Sequence, residues 1–230
     1  MQLSKRLKAV AKMVTPCNAI ADIGTDHGYI PIYLVNEGIV ARALAMDVNA
    51  GPLAVARENI ATYQCSDTIA TRLSDGVAAL AENEVEAIVI AGMGGNLIMR
   101  ILSEGEAVVQ TARELILQPQ SEIAVVRKFL QANGYYIVAE DMICEDDKYY
   151  PMMKVRPGKM NLTREIDFIY GPCLLKDKNL VLKRFLEKEE ITLQKIAKQI
   201  SEASSDLANH RQSEIKQEMC LNQEARGEYE

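Results

Sequence analysis

The stretch Ala19-Ile-Ala-Asp-Ile-Gly-Thr-Asp-His-Gly28 decides the fold class of this chain. Apart from Asp22, residues 19–23 are small and apolar, as in a strand that is buried on both faces of a sheet. Gly24 and Gly28 permit a tight turn, and residues 29–36 can begin a helix. A strand, a glycine-containing turn and a helix form a nucleotide site in open α/β sheets, although Gly-x-Gly-x-x-Gly is absent here. An ordinary strand-to-helix turn is the alternative.

Composition limits the classes of protein to consider. The chain has 230 residues, of which 48% are hydrophobic, enough for one α/β domain and an appendage. Its net charge of −6 excludes a wholly basic nucleic-acid coat but permits local basic faces. The five cysteines are scattered without a C-x-x-C pair, so we expect a reducing, cytoplasmic location and no metal site. No apolar run approaches the ~20 residues of a membrane span, so no membrane partner is expected.

Apolar runs alternate with helical patterns along the first part of the chain. The predicted strands cover residues 19–23, 41–46, 69–73, 87–91, 115–117, 135–139 and 149–155. This order predicts a Rossmann-like, doubly wound, mostly parallel seven-stranded sheet with one late antiparallel pair. Ser121 is predicted to cap the helix after the fifth strand. Residues 140–148 are predicted to form an acidic turn, and Pro151 places the last strand at an edge.

Two acidic residues and a glycine cluster follow predicted strands. Asp47 ends the second strand, roughly 20 residues after the first turn, where a carboxylate can accept hydrogen bonds from ribose hydroxyls. Asp75 ends the third strand and can accept from an adenine amino group. The alternatives are a helix N-terminal acid for Asp47 and a plain Asp-Gly turn for Asp75. Gly92, Gly94 and Gly95 follow the fourth strand and let the backbone approach a ligand closely.

The last part of the chain has a helical pattern of its own. An apolar seam at heptad-like spacing follows Gly171-Pro172 and comprises Leu182, Leu186, Leu193, Ile196, Ile200, Ala203 and Leu207. The segment Ser204-Ser205-Asp206 can cap a second helix, which carries Ile215 and Met219. We therefore predict a C-terminal α-helical hairpin with coiled-coil packing, or alternatively a parallel coiled coil between two chains. The predicted domains are residues 1–160 and 161–230.

Read together, the turns resemble one family. The residues that carry the resemblance are Asp22 to Gly28, Asp47, Ser74-Asp75-Gly76, Ala91-Gly-Met-Gly-Gly95, Leu117-Gln-Pro-Gln120 and Lys148-Tyr-Tyr-Pro151. This set resembles the bacterial tRNA (adenine-N1)-methyltransferases that modify nucleotide 22, a family of class I S-adenosylmethionine-dependent enzymes. Common methyltransferases carry Gly-x-Gly in the first turn, whereas Asp26 replaces the second glycine here, in agreement with this family.

The resemblance implies a set of cofactor-binding residues. Those beside the methionine part of S-adenosylmethionine would be Asp22, Gly24, Thr25 and His27. Asp47 would bind the ribose. The residues around the adenine would be Val48, Asn49, Asp75 and Gly76. The residues closing over the sulfonium would be Ala91, Gly92 and Met93.

The implied reaction depends more on positioning the adenine than on a general base. N1 of adenine has a free lone pair, so in-line attack at ~3 Å and a dry pocket are the main requirements. Methylation leaves the ring cationic, and Asp26 is the candidate that stabilises this charge, although it can equally cap the following helix or hold the loop. Tyr29 and Tyr149 are candidates for stacking on the target base, or else rim residues.

A tRNA partner requires local cations in this acidic chain. Candidates are Lys5 and Arg6 in a predicted N-terminal amphipathic helix, and Lys183 and Arg184 in the first hairpin helix. We expect a monomer, with a dimer through the hairpin as the alternative. The competing function is a methyltransferase of the same fold that acts on a small molecule or a protein and dimerises through the hairpin.

Overall fold

The computed structural model describes residues 3–201 and 206–230. The chain divides into two compact units, Met1–Asn161 and Leu162–Glu230, here called the sheet unit and the helical unit. Among the described residues, no helix is both long and apolar enough to cross a membrane.

A seven-stranded sheet forms the centre of the sheet unit. Its strands are β1 (Cys17–Ile23), β2 (Val40–Asp47), β3 (Ile69–Leu73), β4 (Ala87–Met93), β5 (Glu114–Pro119), β6 (Tyr135–Glu145) and β7 (Lys148–Pro157). Their spatial order is β3-β2-β1-β4-β5-β7-β6. The first five pair in parallel, while β7 is antiparallel to both β5 and β6. The predicted mostly parallel, doubly wound sheet is therefore confirmed.

The central strands are buried on both faces because helices cover the sheet on each side. Ile20, Ile88 and Ile116 are each fully buried. The helices of this unit are α1 (Lys5–Met13), α2 (Tyr29–Asn36), α3 (Ala50–Thr62), α4 (Gly95–Glu104), α5 (Glu106–Val109) and α6 (Ile123–Ala132). The apolar runs of the sequence thus identify the core correctly.

Strand order reverses between β1 and β4. The chain builds outward from β1 to β2 and β3, and then returns to place β4 on the other side of β1. In open α/β sheets such a reversal opens a crevice outside the carboxyl ends of the two strands. The first turn after β1 and the glycines after β4 lie at this edge.

The last two strands correct two of the sequence predictions. The predicted acidic turn is too long, because β6 continues to Glu145 and only Asp146 and Asp147 form the turn. Both turn residues have positive φ, 50° and 58°, as a two-residue type I′ hairpin requires. Residues 140–145 of the acidic stretch are therefore strand residues, whose side chains alternate between the two faces of the sheet.

Pro151 does not place β7 at the edge of the sheet, since β7 lies between β5 and β6. β5 pairs only with residues from Met153 to Val155, so position 151 lies beyond the end of that pairing. There β7 has a neighbour on one side alone, where it pairs with β6. Proline is tolerated because the strand is locally an edge at this point.

The N-terminal helix α1 is anchored to the far end of β6. Ser4 caps the helix by accepting from the backbone N–H of Leu7 at 3.2 Å. Its first two backbone N–H groups, of Lys5 and Arg6, donate to the carboxylate of Glu145 at 2.8 and 3.3 Å. These donors have no partner within a helix, so an acidic side chain stabilises them and the helix dipole together.

Ser121 is not the cap that the sequence predicts. The residue before α6 is Glu122, which is left-handed and makes no side-chain cap. The hydroxyl of Ser121 instead accepts from the backbone N–H of Gly95 at 3.3 Å. The start of α4 and the chain before α6 are thereby held together.

The helical unit contains a hairpin. Its helices are α7 (Glu165–Tyr170), α8 (Pro172–Lys176), α9 (Leu180–Ser201) and α10 (Asp206–Gly227). α9 and α10 pack against each other within one chain, so the intramolecular hairpin is confirmed. Leu182, Leu186 and Leu193 of the predicted seam are buried, as is Ile215. Residues 204 and 205 of the predicted cap and seam position Ala203 lie outside the described residues. α10 begins at Asp206, and the side chains of Asp206 and Leu207 are not described.

A buried polar cluster fixes how α9 and α10 pair. Asn222 is 1% exposed and donates to the carbonyl of Leu186 at 3.0 Å and to the carboxylate of Glu189 at 2.8 Å. The Tyr170 hydroxyl donates to the same carboxylate at 2.7 Å. A seam position that must satisfy buried polar groups admits one register better than its neighbours.

Gly95→Ala is expected to destabilise the sheet unit. An added Cβ would lie 2.5 Å from the carbonyl oxygen of Ser121 and 2.9 Å from Val126, so the backbone must move. We expect a loss of about 1–3 kcal/mol in the free energy of unfolding. Gly51→Ala is the matched control, because its Cβ meets nothing within 4 Å and its position is helical. Urea unfolding should show Gly95→Ala below wild type and Gly51→Ala at or above it; equal midpoints for the two variants would contradict the expectation.

Candidate active site

The turn after β1 is built around Asp22. Its side chain is 3% exposed and accepts from the Thr25 hydroxyl at 2.7 Å. The backbone N–H of Thr25 donates to the carbonyl of Met46 in β2 at 2.9 Å. Gly24 has φ 69°, which glycine adopts without strain. The turn is thus held to the neighbouring strand, with one carboxyl group buried beneath it.

Burial raises the pKa of Asp22 to about 7, and the nearby charge of Asp47 adds to this rise. The hydrogen bond from Thr25 acts in the opposite direction and limits it. Since Asp22 lines the cavity of the crevice, a cationic group placed there would favour its charged form.

Asp47 at the end of β2 organises its neighbours. One carboxylate oxygen accepts from the backbone N–H of Asn49 at 2.9 Å, and the other lies 3.4 Å from the backbone nitrogen of Asp26. The backbone carbonyl of Asp47 accepts from the backbone N–H of Ser74 at 2.9 Å. The carboxylate oxygens retain lone pairs for further donors, such as a pair of vicinal hydroxyls. Beside it, Val48 is 57% exposed and offers an open apolar surface.

The third strand ends in a turn that the side chain of Ser74 holds. Its hydroxyl donates to the carbonyl of Gly76 and accepts from the backbone N–H of Ala79. Asp75 is exposed and accepts from Arg100 of α4 at 3.0 Å. The Asp-Gly turn and a carboxylate open to solvent therefore coexist here, and Arg100 is a partner that the sequence did not indicate.

The carboxyl end of β4 is packed tightly against the turn after β1. Gly92 has φ 83°, and a Cβ there would lie 3.3 Å from the guanidinium of Arg6 and 3.7 Å from the amide nitrogen of Gln120. The Met93 methyl group lies where a Cβ at position 24 would stand. Side chains at 24 or 92 would fill the space between these turns, so the glycines keep the crevice open.

A cavity of about 220 Å³ lies in this crevice. It is lined by Arg6, Leu7, Asp22, Gly24, Thr25, Asp26, His27, Tyr29, Ile30, Ala91, Gly92 and Gln120. Nine of the predicted site residues thus meet at one place: six from residues 22–29 in and around the turn after β1, two from the end of β4, and one from α1. The one from α1 is Arg6, while Leu7, Ile30 and Gln120 are residues that sequence reasoning did not assign to the site.

Arg6 closes one side of the cavity. Its guanidinium donates to the side-chain oxygen of Gln118 at 3.0 Å and lies 5.8 Å from the ring centre of Tyr150. Sequence reasoning selected Tyr149 as the aromatic candidate, yet the ring against Arg6 belongs to Tyr150. Adjacent strand residues face opposite sides of a sheet, so only one of two consecutive tyrosines can have this position.

Asp26 and His27 are exposed on the rim. Asp26 has φ 53°, and its carboxylate lies 3.3 Å from the imidazole of His27. The His27 ring lies 5.6 Å from that of Tyr29. Asp26 makes no side-chain bond that would cap α2, whose first residue follows Gly28. Its carboxylate remains accessible from the cavity.

The remaining cationic candidates occupy two helices. Lys5 is exposed on α1, and Lys183 and Arg184 are exposed on α9 in the helical unit. The backbone N–H of Lys5 is bound to Glu145.

Comparison with known proteins identifies the family. The family described as tRNA (adenine(22)-N(1))-methyltransferase matches residues 20–224. The chain belongs to this family. The tRNA (adenine(22)-N(1))-methyltransferase of Bacillus subtilis strain 168 is 33% identical over 215 residues, which is 91% of this chain and 90% of the relative.

Solved structures of similar proteins contain the methyl donor and its product. A Streptococcus pneumoniae protein in complex with S-adenosyl-L-methionine is similar to this chain with a TM-score of 0.87 and 34% identity, covering 98% of this chain and 100% of that one. TrmK of M. capricolum in complex with S-adenosyl-homocysteine has a TM-score of 0.85 and 29% identity, with both chains covered fully.

Replacing Asp22 with Asn should change how stability depends on pH. The folded state holds the proton of Asp22 up to pH about 7, whereas the unfolded chain loses it near pH 4, so this group destabilises the fold as pH rises between these values. We expect the stability of Asp22→Asn relative to wild type to increase by roughly 2 kcal/mol as the pH rises from 5 to 7, and to increase little more above pH 8. Urea unfolding at each pH measures the difference; a difference that is constant with pH would contradict the raised pKa.

Proposed function

We propose that this protein transfers the methyl group of S-adenosylmethionine to N1 of the adenine at nucleotide 22 of tRNA. The observation that carries the proposal is that Asp22 and Gly92 line one crevice in a chain of this family, with the Asp47 carboxylate next to it at 3.4 Å from the backbone nitrogen of Asp26. The crevice lies where strand order reverses, the usual position of a ligand in this architecture.

The residues around the crevice fit S-adenosylmethionine. The buried carboxyl of Asp22 lines the cavity and suits the α-ammonium group of the methionine part, beside Gly24, Thr25 and His27. Asp47 has free acceptor capacity for the ribose hydroxyls.

Further residues fit the adenine and the sulfonium. Those assigned to the adenine are Val48, Asn49, Asp75 and Gly76, and those assigned to the sulfonium side are Ala91, Gly92 and Met93. The exposed apolar side chain of Val48 suits one face of a purine. S-adenosylmethionine, when bound, supplies an electrophilic methyl group on sulfur.

The chain's own residues then have to position the target base and stabilise charge. Adenine N1 is already nucleophilic, so no side chain must remove a proton before transfer. Asp26 is proposed to stabilise the cationic ring that transfer produces, because its carboxylate is exposed on the cavity rim. N1 lies on the pairing edge, so the adenine must be unpaired before it reaches the crevice. Tyr29 borders this cavity and is a candidate stacking surface, and Tyr149 is kept as a second candidate.

The cations proposed to contact tRNA phosphates are Lys5, Arg6, Lys183 and Arg184. The pairing of α9 with α10 inside one chain uses the seam that a dimer would need. A monomer is therefore proposed, and the five scattered cysteines, with no C-x-x-C pair, suit a reducing, cytoplasmic location.

Methyl transfer to defined tRNAs tests the proposed function. The purified protein is incubated with labelled S-adenosylmethionine and an unmodified tRNA transcript that has adenine at nucleotide 22, and the product is mapped by nuclease digestion. We expect one methyl group at N1 of that adenine and none in a matched transcript with guanine at nucleotide 22. Equal labelling of both transcripts, or labelling of protein or small molecules instead, would overturn the proposal.

Reversing the charge of Lys183 and Arg184 should weaken tRNA binding without changing cofactor affinity. Each lost phosphate contact is expected to reduce the salt slope of binding by about one and affinity by roughly tenfold at moderate salt. Lys195→Glu with Lys198→Glu is the matched control, since it makes the same net charge change farther along α9. Filter binding across a salt series measures the slopes. Unchanged tRNA affinity at low salt, or an equal loss in the control, would count against a local contact.

A further inference from the structure

The side chain of Gln120 lies at the mouth of the crevice with its amide unused. Gln120 lines the same cavity as Asp22 and Gly92, and its amide nitrogen lies 3.7 Å from the position that a Cβ on Gly92 would occupy. Within residues 3–201 and 206–230, no hydrogen bond to this side-chain amide is found. An amide in this state offers two donors and one acceptor to whatever enters the cavity.

The backbone around Gln120 is held rigidly in place. Its own N–H donates to the carbonyl of Met93 at 2.9 Å, which continues the pairing of β5 with β4. The next residue, Ser121, accepts from the backbone N–H of Gly95. Both sides of residue 120 are thus attached to the glycine turn that borders the proposed methyl donor. A side chain on such a rigid support can position a substrate within a narrow range.

Gln118 shows what a structural glutamine looks like at the same strand end. It is fully buried, its amide oxygen accepts from Arg6 at 3.0 Å and its amide nitrogen donates to the carbonyl of Pro119 at 3.1 Å. Gln118 therefore has its partners inside the protein. Gln120, two residues later and exposed, does not have an equivalent role in the described structure.

We propose that the Gln120 amide determines adenine specificity by pairing with the N6/N7 edge of the target base. This inference rests on the proposed function. The amide oxygen accepts from the N6 amino group and the amide nitrogen donates to N7, the pairing that glutamine makes with adenine in nucleic-acid recognition. Both contacts lie away from N1, so the base is held while its methyl-accepting nitrogen stays free to face Gly92 and the methyl donor.

The same geometry disfavours guanine. Guanine has a carbonyl oxygen where adenine has the amino group, so the Gln120 carbonyl would meet another acceptor. Rotating the amide would present donors to that oxygen but leave N7 without one, and N1 of guanine carries a proton and has no free lone pair. A site whose polar group is left unpaired rejects the wrong substrate strongly.

A chemical double-mutant cycle tests the inference. Four reactions combine wild type or Gln120→Ala with tRNA that carries adenine or 7-deazaadenine at nucleotide 22, and kcat/KM is measured for each. Removing N7 changes the nucleophilicity of N1 in the same way for both enzymes, so this change cancels when the two substrate ratios are compared. The remaining quantity reports the contact between Gln120 and N7.

We expect the substrate ratio of wild type to differ from that of Gln120→Ala by about 5- to 10-fold, the range of one hydrogen bond. Gln110→Ala, an exposed glutamine at the end of α5, should keep the wild-type ratio. Equal substrate ratios for wild type and Gln120→Ala would overturn the inference. The outcome differs from failure of the proposed function, in which wild type would not methylate N1 of adenine 22 in unmodified tRNA at all.

Cofactor affinity provides the second readout. Gln120→Ala should bind S-adenosylmethionine within about twofold of wild type by calorimetry, because the proposed contact is made to the base alone. A loss of cofactor affinity equal to the loss of kcat/KM would assign Gln120 to the cofactor side and overturn the inference.

Discussion

The reversal of strand order between β1 and β4 is the constraint on which the rest of the site depends. At such a reversal the two neighbouring parallel strands send their following segments to opposite faces of the sheet, and neither segment closes the gap between them. Whatever residues follow the two strands must therefore face each other across a crevice. The glycines at 24 and 92 keep that gap open, because any larger side chain there would meet Met93 or Arg6.

The crevice lowers the stability of the fold because it buries the carboxyl group of Asp22, which the proposed ligand needs. Asp22 is buried beneath the turn with one hydroxyl partner and a second carboxylate nearby. A carboxyl in this position is poorly solvated when charged, so it destabilises the unliganded protein at neutral pH. The same poor solvation makes it a strong partner for a cation. Stability and ligand recognition thus act in opposite directions at one residue, as is common at functional sites.

Much of this arrangement could be predicted from the sequence because it depends on local patterns. Apolar runs identify the strands, and parallel topology brings Asp22 and Asp47 to one edge whatever the details of packing. The errors concern residues whose role depends on distant neighbours. Ser121 has the residue type of a helix cap, but its hydroxyl bonds to Gly95 instead. Pro151 lies at a local edge only because the pairing of β5 with β7 ends at Leu117.

The unpredicted parts of the site are of the same kind. Gln118 and Arg6 are 112 positions apart, and no periodicity in the sequence relates them. The register of the hairpin depends likewise on the hydrogen bond from Asn222 of α10 to Glu189 of α9. Sequence patterns report which face of an element is buried, but they do not report which polar side chains meet there.

The attachment of α1 to Glu145 has a consequence for how the protein is made. Residues 5 and 145 are in contact but lie 140 positions apart along the chain, so a ribosome must complete almost the whole sheet unit before this contact can form. Until then α1 lacks the partner of its first backbone donors, and Arg6 lacks Tyr150 and Gln118. The β1–β2–β3 half of the sheet can pair early, since its strands are close in the chain. The wall of the crevice is therefore the last part to be assembled, and a nascent chain remains without a complete site until its N-terminus has found the tip of β6.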